Sequence, residues 1–215
     1  MNNSWLNTEN IGRSAEGVEY HPLVPFLPEN ARVLFLGSFP PQQKRWCMSF
    51  FYPNWINDHW RLTGEVFFND RDYFVDTAHK TFKLEAIKTF LREKGIGYYD
   101  TACAVRRLKD NAADQFLEIV TPTDITKLTE GLNELRLIVT TGELATTTIC
   151  RQLHIDTIPK VGTSTRITSL PKRGNPPTQT VSLYRLPSSS RAYPLAFDKK
   201  AEAYRQMYRA AGMID

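Results

Sequence analysis

Residues 33–60 read VLFLGSFPPQQKRWCMSFFYPNWINDHW, and this stretch decides both the fold and the site that the sequence predicts. It opens with four consecutive apolar residues, Val33 to Leu36, a run that is typical of a buried strand and too short for a helix. Gly37 ends the run, and the two prolines at positions 40 and 41 exclude the interior of a sheet or a helix. The sequence therefore predicts a buried strand that ends in a rigid loop.

Aromatic side chains crowd the second half of the same stretch. Three of the four tryptophans of the chain lie there, and Asn57 stands among them; the aromatic residues are Trp46, Phe50, Phe51, Tyr52, Trp55 and Trp60. Aromatic rings bind a flat heterocycle by stacking, and one or two polar groups then fix its orientation. A strand, a Gly/Pro loop and this aromatic segment together predict a pocket for a flat heterocycle.

Length and composition indicate a single globular domain. The chain has 215 residues, of which 41% are hydrophobic and 23% charged, so it can bury a sizeable core and is expected to be soluble. We expect a polar N-terminal lead-in over residues 1–20 and one domain over residues 21–215. The net charge of +4 permits an anionic partner such as nucleic acid without demanding one.

The sequence shows no pattern typical of a metal site or of a membrane-spanning segment. The three cysteines are scattered without a CxxC pair, and the four histidines show no ligand spacing, so we expect neither a metal nor a disulfide framework. We find no signal peptide and no apolar run of transmembrane length, and we therefore expect a cytoplasmic protein. Serine-hydrolase, P-loop and zinc-protease motifs are also missing.

Strand-like and helix-like segments alternate along the chain. Strands are predicted at 33–36, 96–99, 135–140, 167–170 and 180–186, and helices at 57–64, 80–94, 121–132 and from 198 onward, whereas the basic segment 103–114 is predicted to be an exposed loop. This alternation predicts an α/β sandwich around a mostly parallel sheet. Ligands bind such sheets at the carboxyl ends of the strands, which places the Gly37 loop, Asp100, residues 140–142 and the serine-rich loop 186–194 on one rim.

Three short motifs, in order, carry a resemblance to a known family. They are Gly37-Ser38-Phe39-Pro40, the segment FYPNWINDHW at 51–60, and Leu186-Pro187-Ser188-Ser189-Ser190. Together they resemble the uracil-DNA glycosylase superfamily, closest to its hypoxanthine-DNA glycosylase-like branch, over about residues 21–212. The resemblance implies a three-layer α/β/α sandwich with a central, mostly parallel sheet of about four strands.

The same resemblance implies an activity and a set of site residues. It implies a monofunctional DNA glycosylase that acts without a metal or other cofactor, flips a deaminated base, hypoxanthine or uracil, out of DNA and hydrolyses its N-glycosidic bond, as a monomer, in base excision repair. Asn57 matches the catalytic asparagine. The implied base-binding residues are Gly37, Ser38, Phe39, Phe51, Tyr52 and Trp60, and the implied DNA-binding residues are Ser188, Ser189, Ser190 and Arg191.

The chain departs from the family pattern in the Gly37 loop, residues 37–41, which we call the first loop. Other interpretations therefore stay open. Pro41 replaces the second glycine of that loop, and the loop carries no acid. A catalytically degraded member that binds nucleic acid or a free nucleobase is therefore the alternative, and a serine hydrolase of small molecules is a third. At single positions, Asn57 could instead cap a short helix, Trp60 could be core, the serines could form a polar turn, and Asp100 could cap a strand end.

Overall fold

The computed structural model describes residues 17–109, 114–170 and 180–215. Within these ranges the chain forms ten strands and five α-helices, and two short 3₁₀ turns at Gln43–Arg45 and Asp114–Phe116. In chain order the elements are β1 (Val18–Tyr20), β2 (Val33–Gly37), α1 (His59–Phe68), β3 (Val75–Asp76), β4 (Thr81–Phe82), α2 (Leu84–Lys94), β5 (Ile96–Asp100), β6 (Ala102–Arg107), β7 (Leu117–Pro122), α3 (Ile125–Leu128), β8 (Leu137–Thr141), α4 (Glu143–Gln152), β9 (Ser164–Arg166), β10 (Ser182–Leu186) and α5 (Phe197–Ala210).

A five-stranded sheet in the order β5-β2-β8-β10-β9 forms the centre of the fold. The first four strands are parallel, and β9 pairs antiparallel with β10 at the edge. The apolar run of β2 is buried along its whole length, as a strand covered on both faces requires. The predicted α/β architecture with a mostly parallel central sheet is confirmed.

Helices cover both faces of this sheet. On one face the ring of Phe35 contacts Tyr204 and Tyr208 of α5, and α5 packs against α1. On the other face Thr140, the neighbour in register of Leu36, hydrogen-bonds Thr146 of α4 at 2.8 Å. Successive strand residues point to opposite faces, so α4 lies across the sheet from α1 and α5. The fold thus has three layers.

The strand register brings the four parallel strand ends to one rim. Gly37 lies opposite Asp100, the last residue of β5, and Leu186 lies opposite Thr141, the last residue of β8. The first loop, Asp100 and the serine-rich loop therefore leave the sheet at the same edge. This is the edge at which parallel sheets bind ligands.

A second sheet corrects two predictions. The segment 103–114, predicted as an exposed loop, contains most of β6, which pairs antiparallel with β1 and β7. Its arginines are compatible with a strand because Arg106 pairs with Glu118 on β7 and Arg107 with Glu19 on β1. Strand β1 also shows that residues 18–20, assigned to the lead-in, belong to the folded domain. Residues 1–16 lie outside the described part of the chain.

Three other element boundaries differ from the prediction. Thr121 and Pro122 end β7 rather than open a helix, and the short α3 is capped instead by Asp124, whose side chain accepts the Lys127 amide hydrogen at 3.0 Å. The strand predicted at 167–170 is not formed, and the neighbouring β9, Ser164–Arg166, ends one residue before that segment. Helix α2 begins at Leu84, since the two residues before Lys83 form β4.

His59 is hydrogen-bonded and stacked within the aromatic core. Its side chain has no exposed surface, its Nδ1 lies 3.0 Å from the Tyr204 hydroxyl, and its Nε2 lies 2.8 Å from the Tyr98 hydroxyl. The Tyr52 ring stacks on the imidazole at a centroid distance of 3.7 Å. Burial lowers the pKa of His59 well below its usual 6.5, so the ring is neutral in the fold.

His59→Phe should lower the free energy of unfolding by about 3 kcal/mol at pH 8, because two buried hydroxyls lose their partner. Because the folded-state pKa of His59 is depressed, wild-type stability falls as the pH drops below 6.5, where the unfolded chain takes up the proton. The variant should lack this pH-dependent loss of stability, which amounts to at most about 1.4 kcal/mol per pH unit. Urea unfolding from pH 5 to 8 measures both effects. Equal slopes for variant and wild type would contradict the prediction, and the exposed His79→Gln is the control.

Candidate active site

The first loop is shaped by Gly37 and fixed by Arg107. A Cβ on Gly37 would collide with the carboxylate of Asp100 on the neighbouring strand, so only glycine leaves room for that carboxylate. Arg107 donates from Nη2 to the Pro40 carbonyl at 2.7 Å, and its Nε lies 2.9 Å from a carboxylate oxygen of Glu19. The antiparallel sheet thereby holds the loop against the rim.

Two carboxyl groups stand at this loop in different environments. Asp100 accepts a hydrogen bond from His21 Nε2 at 2.8 Å, and the His21 ring is enclosed by aromatic rings. Asp114 accepts a hydrogen bond from the Ser38 hydroxyl at 2.6 Å, a length typical of an O–H donor to a carboxylate. Desolvation, with the nearby charge of Asp100, raises the pKa of Asp114 above its usual value. One carboxyl therefore has a histidine partner, whereas the pKa of the other is raised.

Tyr52 joins the rim to the core. Its backbone adopts a left-handed conformation with φ of 50°, which aims the side chain between His59 and the strand ends. The hydroxyl hydrogen-bonds Thr141 at the end of β8 at 2.7 Å. Burial raises the pKa of Tyr52, and Asp100 and Asp114 raise it further, so both carboxyls lie within electrostatic range of this hydroxyl. The phenol is neutral and can serve as donor or acceptor.

The structure separates the six predicted base-binding residues into two groups. Gly37, Ser38, Phe39 and Tyr52 gather at the rim, and Phe39 meets the His21 ring edge-on at 5.3 Å. Phe51 is 3% exposed, and its ring contacts Tyr98, so Phe51 packs in the core beneath the rim.

Trp60 needs a correction. Its exposure is 0%, and its indole nitrogen donates to the Phe51 carbonyl within the core. The amphipathic α1 turns the Trp60 side chain inward, away from the rim. Trp60 is therefore a core residue, and we no longer place it against a base.

Asn57 lies at the start of α1, beside the serine-rich loop. Its Oδ1 accepts the amide hydrogen of His59, the first residue of α1, at 2.9 Å, while the N-cap position itself is Asp58. Its backbone forms an isolated bridge with Ser190, and the Asp58 amide donates to the Ser189 carbonyl at 3.1 Å. The predicted catalytic asparagine and the predicted DNA-binding loop are thus in direct contact.

The serine-rich loop carries hydroxyls in short local turns. The Ser188 Oγ accepts the Ser190 amide hydrogen, and the Ser190 Oγ accepts the Ala192 amide hydrogen, each at 3.2 Å. A hydroxyl that accepts in this way keeps its own hydrogen as a donor. Ser189 is buried and bonds Tyr204 instead. Two of the three serines can therefore still donate outward.

A basic cluster surrounds Asp58 next to this loop. Arg191 donates to Asp58 at 2.8 Å, and Lys200 donates to the Ser190 carbonyl at 2.7 Å and lies 4.0 Å from Asp58. Arg61 stands close enough for Arg191 and Asp58 to affect its pKa, which burial lowers. Three cations face one carboxylate here. Two further basic residues that precede this loop in the sequence, Lys172 and Arg173, lie outside the described residues.

Other parts of the described chain offer no competing site. Across the three described ranges, no group of three histidine, cysteine or acidic side chains could hold a metal ion. No helix in those ranges has the length and apolar character needed to cross a membrane. A surface groove of about 510 Å³ is lined by Pro25 to Asn30 and Arg92. It lies at the amino ends of β2 and β5, the wrong edge for ligand binding in a parallel sheet.

Comparisons with known proteins address the fold. No protein-family profile and no curated protein sequence matches the chain. A similar solved structure is the solution NMR structure of a "putative Uracil DNA glycosylase" from Methanosarcina acetivorans, with 20% identity and a TM-score of 0.56. The match covers 91% of this chain and 99% of that one. The chain has a uracil-DNA glycosylase-like fold. The fold implied by the resemblance is thus confirmed, whereas the hypoxanthine branch stays a prediction.

Sequence reasoning missed three contributors to the site. His21, Arg107 and Asp114 lie in none of the three motifs, and Asp114 is 76 residues away from its partner Ser38. The register of β2 and β5 could not be read from the chain, although Asp100 was placed on the rim from its strand end. For Asp114 no local signal exists, because its segment looked like an ordinary polar loop.

Asp114→Asn should raise the free energy of unfolding at pH 8, because the amide keeps the Ser38 hydrogen bond and removes a desolvated charge. The pKa of Asp114 is raised in the fold, so its ionisation costs stability as the pH rises above the usual 3.8. The gain should therefore shrink toward pH 4. Urea unfolding at both pH values measures it, with Glu118→Gln on β7 as a control that should change stability by less than about 0.5 kcal/mol. A variant less stable than the wild type at pH 8 would contradict this assignment.

Proposed function

We propose that the protein is a monofunctional DNA glycosylase that hydrolyses the N-glycosidic bond of a deaminated base, hypoxanthine or uracil, in base excision repair. We propose further that it acts in the cytoplasm as a monomer, on DNA alone and without a metal or cofactor. The observation that carries the proposal is the rim of the sheet. In a uracil-DNA glycosylase-like fold, the Gly37 loop, Tyr52 and two carboxyl groups meet there, beside a serine-rich loop and a basic cluster.

The rim has the parts that base excision needs. An extruded base requires an aromatic face, and Phe39 or Tyr52 can supply it. The base edge requires polar partners, which Ser38 and the neighbouring backbone can supply. The sugar develops positive charge as the bond breaks, and a carboxylate close by stabilises that charge. His21 holds Asp100 at the end of the neighbouring strand. Asp100 can therefore stabilise the charge on the sugar, although the first loop lacks an acid.

The serine-rich loop has the parts that a DNA backbone needs. Hydroxyls and backbone amides bind phosphates without reading sequence, and arginine and lysine supply charge. Arg191 is paired with Asp58, and its side chain is 46% exposed. Phosphate can compete for this guanidinium at the surface. We therefore assign Ser188, Ser190 and Arg191 to the flanking phosphates, with Ser189 as an internal support.

Asn57 remains the proposed catalytic asparagine, and its amide nitrogen is the group we assign to the reaction. The oxygen is already engaged by the His59 amide, so any loss of activity in Asn57→Ala mixes two effects. Asn57→Asp helps to separate them, because a carboxylate oxygen keeps the bond to the His59 amide, while the N–H donors are replaced by a negative charge.

Base release from labelled DNA carrying hypoxanthine, uracil, xanthine or a G·T mismatch tests the function. We expect the wild type to release at least one base, and both Asn57 variants to lose about 10²-fold or more in rate. Asn57→Ala should lose about 1 kcal/mol of stability with the hydrogen bond to the His59 amide. Full activity in Asn57→Ala would remove the asparagine from the reaction.

The alternative is a nucleic-acid or nucleobase binding module that has lost catalysis. Two observations favour it. The side-chain oxygen of Asn57 already accepts the His59 amide hydrogen, and the first loop lacks an acid. A binding module would retain DNA with an affinity that falls as salt rises, and would release no base. The excision screen therefore decides between the two functions.

A further inference from the structure

Asp114 is a partly buried acid whose contact with Ser38 would need no charge. Its Oδ1 is held by Ser38 at the end of β2, and its Oδ2 faces Gly142 after β8, where a Cβ would lie 3.3 Å away. Among the described residues, the titratable groups that face it are Asp100 from β5 and Tyr52 from the aromatic segment. His21 lies behind Asp100 and binds that carboxylate. A desolvated carboxyl placed beside another carboxyl is costly, and such arrangements are concentrated at functional sites.

We propose that Asp114 is the general acid of the site and donates its proton to the departing base, an inference that rests on the proposed glycosylase function. The C1′–N bond breaks with both electrons remaining on the base, and the Asp114 proton neutralises the charge that the base acquires. Water adds to C1′ and releases one proton, and Asp114 regains a proton from solvent. The sum is hydrolysis to a free neutral base and an abasic sugar.

Two properties of the rim support this role. A base that left as an anion would be opposed by the charge of Asp100, whereas a base that takes the Asp114 proton as it leaves meets no such repulsion. The two carboxyls also have the contrast expected of an acid and a charged partner. Asp100 has its histidine, and the pKa of Asp114 is raised by desolvation and by Asp100.

Ser38 sets how firmly Asp114 holds its proton. The Ser38 hydroxyl donates to Asp114 and lowers its pKa, in opposition to desolvation. Ser38→Ala should therefore raise the pKa of Asp114 further. If Asp114 only fastened the first loop, the same change would loosen the loop without moving any pH profile.

The test measures single-turnover excision from pH 5 to 9 by wild type, Asp114→Asn, Ser38→Ala and the control Glu118→Gln. Each enzyme is assayed on the base that the wild type removes and on a base that needs no acid. That base is 5-fluorouracil for uracil, or the cationic N7-methylhypoxanthine for hypoxanthine. Wild-type activity should fall as the pH rises through the Asp114 pKa. Ser38→Ala should move this limb to higher pH, and Glu118→Gln should leave it in place.

Asp114→Asn should lose about 10²- to 10⁴-fold on the natural base, lose the alkaline limb, and recover most of its rate on the activated base. DNA binding and thermal unfolding establish that the variant is folded. An equal loss on both bases, or an unchanged pH profile, overturns the role of Asp114 while leaving the proposed function intact. A wild type that binds DNA and releases no base at any pH overturns the proposed function, and this inference with it.

Discussion

The close approach of Gly37 and Asp100 is the contact on which the rest of the site depends. The parallel register of β2 and β5 brings the two residues side by side, and the missing side chain of Gly37 makes room for the carboxylate. His21 then fixes Asp100, and the loop that follows Gly37 carries Ser38, which holds Asp114. A larger residue at position 37 would therefore disturb both carboxyls, although it touches only one.

Charge is divided between two neighbouring regions of the rim. The first loop gathers two carboxyls, whereas the serine-rich loop lies beside three cations around Asp58. Tyr52 and His59 connect the regions, since Tyr52 reaches Thr141 and its ring stacks on His59 at the start of α1. Two carboxyls beside a basic cluster suit a substrate whose base approaches the carboxyls while its phosphates stay at the basic cluster.

The sequence predicted what local patterns determine. The apolar run of β2, the glycine that ends it and the alternation of strand-like and helix-like segments were enough for the architecture and for the rim. Strand β6 was missed because its arginines look solvent-exposed until Glu19 and Glu118 are placed beside them. Asp114 was missed because its partner is remote in the chain, and Trp60 was misplaced because a motif match does not show which way a helix turns its side chain. Local sequence patterns predict individual helices and strands, whereas contacts between residues that are distant in the chain are known only from the structure.

Under the proposed function, a base enters the rim between the Gly37 loop, Tyr52 and Asp114. Chemical-shift mapping of the isotope-labelled protein measures this placement, with DNA carrying a 2′-fluoroarabino nucleotide of the target base, which resists cleavage. We expect large shifts at Gly37 to Phe39, Tyr52 and Asp114, together with smaller ones in the serine-rich loop, and weaker rim shifts with undamaged DNA. Shifts confined to the serine-rich loop, or centred on the groove at Pro25 to Asn30, would contradict it.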